Sequence, residues 1–292
     1  MARALLKAWL RVIARLPEAA VSRAITDGTI TALLERELGD EALRASFAPV
    51  RQELQREAQN AARYFARDIP VPAPLRTVAI GFDVLNPKVI DAIRALDTRV
   101  MQRLAPEVRE TVRQHIERGL IEGVGPRTIA RGLRSVVGLA PNQATYVENL
   151  RRELTEGRFT DAARRVLLDK RLNLERLAAL PAGERAQRIE RIVGGYRRRM
   201  IALNAETQAR TATLDALKQG QRLAWEDAAA KGVVAREQLT KTWKGVMDER
   251  EREEHVEMEG ETVPFDALYS TGQSYAGEGD WNCRCLDIVG VA

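Results

Sequence analysis

The sequence predicts a mostly α protein, an elongated multi-helix body followed by a small C-terminal α/β domain. Three observations predict it. Aromatic residues make up only 5% of the 292, charged residues 30%, and much of the hydrophobic 45% is Ala, Leu and Val, a composition that suits solvated helices better than a dense mixed sheet. Apolar residues recur at three- and four-residue spacing through most of the chain before Gly232. After Gly232 the texture changes. The stretch from Lys241 to Cys285 gathers both cysteines, one of the two histidines and two of the four tryptophans, and rare residue types collected this closely point to a small specified site.

The net charge of +5 conceals an asymmetry. From Lys244 to the end stand 12 acidic and 4 basic residues, which leaves 29 acidic and 42 basic residues before it. The basic part suits contact with nucleic acid or an acidic protein surface, although Arg-rich helices are also simply well solvated. A bridge between Cys283 and Cys285 would close a strained ring, so reduced thiols and a reducing compartment are expected. Arg and Lys interrupt the first apolar stretch, which excludes a signal-peptide core there, and no run of about 18 apolar residues would span a membrane.

Leu5, Leu6, Trp9, Leu10, Ile13 and Leu16 form an amphipathic first helix ending at Pro17. Its stripe suits packing on a neighbouring helix or subunit more than a membrane surface. Asp40 is expected to cap a longer helix through Leu43, Phe47, Val50, Leu54, Ala58, Ala61 and Phe65, kinked at Pro49. The alternating prolines from Ile69 to Pro74 exclude helix and read as a linker. Val78, Ile80 and Phe82 then suggest a short extended piece, and Asn86-Pro87 a helix start.

From Pro106, Val108, Val112, Ile116 and Leu120 form a one-face stripe that stops at Gly123 and Gly125, with His115 beside it as an ordinary helix histidine. Short helices follow from Pro126 and from Pro141. Thr160 to Lys231 reads as nearly continuous helix, broken at Pro181 and bent at Gly194-Gly195, with no sustained heptad. Within it Tyr196 precedes Arg197, Arg198 and Arg199, the densest basic patch: a phosphate-contacting face or an exposed helix turn. Internal repeats are absent. The expected segments are an arm at 1–75, a helical body at 76–232 and the α/β domain at 233–292.

In that last domain, residues 238–246 read as a strand. Asp248 would cap a following helix on which Asp248, Arg252 and His255 share one face. Cys283 and Cys285, on a strand, would project to one side and Arg284 to the other. Zinc wants about four ligands, so Cys283, Cys285, His255 and a carboxylate such as Asp248 form a candidate set, against a reading of two small buried thiols and a hydrogen-bonded histidine. An enzyme centred on His255, with Arg250 and Arg252 as phosphate clamps, is the other reading of the cluster. It lacks a second histidine nearby and a nucleophile with a base, so no catalytic residue is assigned.

Taken together, Lys241-x-Trp243, Asp248-x-Arg250-x-Arg252-x-x-His255, Gly260, Phe265 and Asn282-Cys283-Arg284-Cys285 resemble the signature of the phage head morphogenesis proteins, the Mu F-like minor head protein family. The stretches Gly123 to Ala130, Gly138 to Ala144 and Ala205 to Arg210 resemble the family's helical part, so the likeness runs over roughly residues 80–290. Glu251 replaces the small hydroxyl residue usual between the two arginines, and Tyr275 to Asp280 replaces the usual Pro-Gly turn. The resemblance implies a minor structural protein of a tailed phage or prophage, associated with the portal and acting in head assembly and in DNA packaging or delivery. Its implied partners are the portal protein and, further, phage DNA, scaffold or major capsid protein. Its implied place is the capsid interior or portal vertex, and the host cytoplasm during assembly. Relatives of the C-terminal module are also joined to toxin domains, which keeps a nuclease-like enzyme as the alternative.

Overall fold

The computed structural model describes residues 1–76, 80, 87–133 and 135–292. The extended piece expected around Val78 and Phe82 lies outside them. Among the described residues the chain is mostly helical, with one small antiparallel sheet near the C-terminus. It gathers into two compact units, one of residues 2–48 and 102–206, the other of residue 1, residues 49–101 and residues 207–292. No helix among the described residues is long and apolar enough to cross a membrane.

In the first of these units the helices are α1 (Ala2–Arg15), α2 (Glu18–Thr26), α3 (Ile30–Leu38), α4 (Asp40–Ser46), α7 (Pro126–Leu133), α8 (Pro141–Thr155) and α9 (Phe159–Ala163), with parts of α6 (Pro87–Ile121) and α10 (Ala182–Ala230). Leu5, Trp9 and Val12 of α1 and Leu16 just after it are buried, while Leu6 and Leu10 face solvent. Trp9 lies against Gly138, where a Cβ would come within 2.8 Å of the indole and where φ is +92°. The Gly138 and Leu139 carbonyls accept from Asn204 (3.0 Å) and Thr111 (3.0 Å), which fixes the turn before α8.

The single kinked helix expected from Asp40 to Phe65 is two helices, α4 and α5 (Ala48–Phe65). The break falls at Phe47, so Pro49 sits in the first turn of α5, where its missing N–H is not needed. Val108, Val112 and Ile116 are buried as their stripe predicts, but Leu120 is exposed and the helix runs back through Pro106 to Pro87. Residues 164–181, expected as helix, are turns with one short 3-10 segment. Leu168, Leu174 and Leu177 enter the core from these turns, against Ile189, Ile192 and Tyr196 of α10. Arg185 holds the turns there by donating to the carbonyls of Ala178 (2.8 Å) and Leu180 (3.0 Å). Helix α10 continues through Gly194 and Gly195.

In the second unit α5 and α10 meet through small residues. A Cβ on Gly220 would stand 2.3 Å from the Ala58 carbonyl oxygen and 2.6 Å from the Ala61 Cβ, so only glycine permits this approach. The Pro-rich segment is non-α apart from a 3-10 turn at Ala73–Leu75, and its Ile69 is buried with Ala224, Trp225, Val234 and Phe265. Strands β1 (Leu239–Lys244), β2 (Thr262–Pro264) and β3 (Leu286–Val291) form a sheet in the order β2-β1-β3. Thr242 pairs with Thr262 on one side of β1 and with Ile288 on the other. The two-residue period of β1 sends Leu239, Lys241 and Trp243 inward.

Candidate metal centre

Two buried lysines build the frame. Lys241, facing inward from β1, donates to the carbonyls of Ala267 and Ser274 (both 2.6 Å), and its ammonium sits 5.0 Å from the centre of the Tyr269 ring. Burial pulls its pKa down, and the neighbouring Arg222 adds to this. Lys218 of α10 donates to the Ala276 carbonyl (2.7 Å). Asp287 on β3 accepts from Tyr269 (2.9 Å) and from the Ala276 N–H (2.8 Å), while burial pushes its carboxyl up. Residues 267–276 are thereby fixed to β1, β3 and α10, and the chain that follows is aimed back at His255.

The approach of the cysteines is tight. Gly277 has φ +67°, and a Cβ there would lie 2.2 Å from the Cys283 sulfur. Asn282 also takes a left-handed conformation (φ 58°), one that Asn tolerates better than most residues. Its N–H donates to Thr211 (2.9 Å) and its side-chain oxygen accepts from Arg210 (3.1 Å). Cys283 and Cys285 precede β3 and do not lie on a strand as expected; the turn at Asn282 brings both sulfurs inward.

At the centre, His255 Nδ1 lies 3.3 Å from Cys285 Sγ and 3.6 Å from Cys283 Sγ, and the three atoms stand within 4.8 Å of one another. All three residues are buried, at 3%, 0% and 6% exposure. Nε2 on the far side of the ring lies 3.2 Å from Asp280 Oδ2. Trp243 meets the imidazole edge to face, with ring centres 5.4 Å apart. A hydrogen bond from Cys285 pulls the Cys283 thiol down, and the same bond, with burial, pushes Cys285 up. Such a pair holds one thiolate readily and the second only when a cation joins it.

The donor set fits zinc. With Zn–S near 2.3 Å and Zn–N near 2.0–2.1 Å, tetrahedral ligand atoms lie roughly 3.3–3.8 Å apart, the range in which Nδ1 stands from each of the two sulfurs. A proton on Nε2 given to Asp280 leaves the Nδ1 lone pair directed at the sulfurs, the usual way a carboxylate orients a ligating histidine.

A model of the family described as phage Mu protein F like protein matches residues 110–288. The chain belongs to that family. Neither a curated protein nor a solved structure matches it. The matched span holds the whole His–Cys–Cys cluster, all of α10 and the C-terminal part of α6.

Of the residues carrying the Mu F-like resemblance, Lys241, Trp243, His255, Phe265, Cys283 and Cys285 are all buried. Gly260, at φ +83°, donates its N–H to the Trp243 carbonyl (3.0 Å). Asp248 is directed elsewhere. It takes a two-point hydrogen bond from Arg284 (2.5 and 2.7 Å) and one from the Arg250 N–H (3.0 Å), which hold its carboxyl well below the usual range. It also does not share a helix with His255: α11 (Glu253–Glu257) begins later, with Arg252 at its N-cap in an extended conformation. Arg252 instead donates to the Trp281 carbonyl (2.7 Å), and the Arg250 side chain is 78% exposed.

His115, Tyr196 and Arg197 to Arg199 belong to the first unit. Tyr196 is buried in the helical core, so it offers no face for stacking on a base. Arg199 donates to Leu167 (3.3 Å) and Asp169 (3.2 Å). Burial, then the nearby Arg198 and Arg151, pulls the Arg197 pKa down, and Arg198 alone of the three is both exposed and without a hydrogen bond among the described residues. His115 meets the Ile129 carbonyl (3.0 Å), and burial keeps its pKa low. Three residues near the centre have no role assigned there from the sequence: Glu251, Asp280 and Lys218. The signal for Glu251 was available, since an acid four residues before a histidine lies within reach on a helical turn.

Proposed function

We propose that this chain is a minor head protein of a tailed phage or prophage, associated with the portal vertex during head assembly and DNA packaging or delivery. The family match over residues 110–288 carries the reading. Zinc on Cys283, Cys285 and His255 would hold residues 233–292 in place, a structural task that suits a centre this buried. The His255-centred nuclease has less support, because the imidazole is 3% exposed and both ring nitrogens are engaged. A general base must reach a substrate proton. In cells assembling heads, the chain is expected to co-purify with portal protein; portal that is recovered repeatedly without it would reject the assignment.

The DNA contact is better placed on a groove than on the Arg197–Arg199 turn. The 171–180 turns and α10 border a cavity of ≈ 460 Å³ lined by Arg171, Asn173, Arg176, Gln187, Arg188 and Arg191, with Glu184 as the one acid on its wall. Arg176, Arg188 and Arg191 are exposed and make no ion pair among the described residues. The core leucines and Arg185 hold the groove in shape. Replacing Arg176, Arg188 and Arg191 together with Gln is expected to weaken duplex DNA binding. It should also flatten the slope of log affinity against log salt by about 2–3, near 0.9 per lost phosphate contact. Wild-type binding with an unchanged slope in the variant would remove DNA from the groove.

A further inference from the structure

We infer that Glu251 is the fourth zinc ligand, closing a Cys283–Cys285–His255–Glu251 site. The inference rests on the zinc reading above and goes beyond it in naming the carboxylate. Glu251 Oε1 lies 3.3 Å from His255 Nδ1 and 3.4 Å from Cys285 Sγ, so it borders the space that the imidazole nitrogen and the Cys285 sulfur face. Its side chain is only 4% exposed. The other oxygen, Oε2, is held by the Val246 N–H (3.3 Å) and lies 3.8 Å from Arg284, which leaves Oε1 turned inward.

The charges are compatible with this. Two thiols and a carboxylate gathered around one imidazole form a buried donor set that a divalent cation would neutralise once the thiols ionise. The nearest guanidinium, Arg284, is already committed to Asp248 by two hydrogen bonds. A divalent ion at the shared point would neutralise the cluster and draw off the thiol protons. The other nearby acids have different tasks. Asp248 is occupied by Arg284, and Asp280 faces Nε2, the side of the ring away from the sulfurs.

The test is zinc affinity of the full-length protein by chelator competition, together with the visible spectrum of the cobalt-substituted form. Wild type is expected to bind one zinc. Glu251→Gln should weaken it at least about tenfold and shift the cobalt bands, while Asp248→Asn leaves both unchanged. If Glu251→Gln fails to fold, Glu251→His, which offers another donor, is expected to restore both folding and zinc. Wild-type affinity and an unaltered cobalt spectrum in Glu251→Gln would overturn the fourth ligand and leave the other three standing, as would two unfolded variants. A wild-type protein that binds no zinc would overturn both readings together.

Discussion

Cys285→Ser is expected to destabilise the C-terminal part of the protein by more than about 4 kcal/mol, the range that mutational effects reach when a metal or a core anchor is lost. Serine is close to cysteine in size, and Cys285 is fully buried, so the cavity left is small and the packing penalty alone would be about 1 kcal/mol. The larger loss comes from the ligand. A hydroxyl does not ionise at neutral pH, so the site keeps one sulfur near His255 Nδ1 where two now stand at 3.3 and 3.6 Å. Thermal unfolding with and without a strong chelator separates the two causes. The chelator should lower the wild-type midpoint by many degrees and leave the variant nearly unmoved. An equal drop in both proteins, or none in wild type, would mean that the thiols act as packing groups alone.

The helices and the strand were legible because each follows from a local pattern. Val108, Val112 and Ile116 are buried as a fourfold stripe requires, and Leu239, Lys241 and Trp243 turn inward as a twofold one requires. Residues 164–181 misled because their leucines and arginines favour helix, whereas tertiary contacts to Ile189, Ile192 and Tyr196 select turns. The centre itself was legible in its residue types and not in its geometry. Cys283, Cys285 and His255 stand out as rare chemistry, whereas Asp248 is only the carboxylate that a helix shared with His255 suggests. The helix starts at Glu253, and the freed turn directs Asp248 to Arg284 and Glu251 to His255 and the Cys285 sulfur. Nothing in the local sequence reports a partner 36 residues away.

Trp243→Ala should cost about 3–5 kcal/mol, as removal of a large buried aromatic does. Trp243 is fully buried on the inner face of β1, packed edge to face on His255 and on Tyr269 at 5.4 and 5.2 Å. Its indole N–H has no hydrogen-bond partner among the described residues, so Trp243→Phe loses contact area but also relieves a buried donor, and its loss should be well below that of alanine. Urea unfolding followed by circular dichroism measures both, and equal losses would show that the indole's extra ring, not the unpartnered N–H, dominates. The indole is also one wall of the imidazole's place, so its loss frees His255 to leave the orientation that Asp280 sets from the other side. Trp243→Ala and chelation are therefore expected to be non-additive, each costing less once the other is applied. Strict additivity would separate the tryptophan from the metal and make it an ordinary core residue of the sheet.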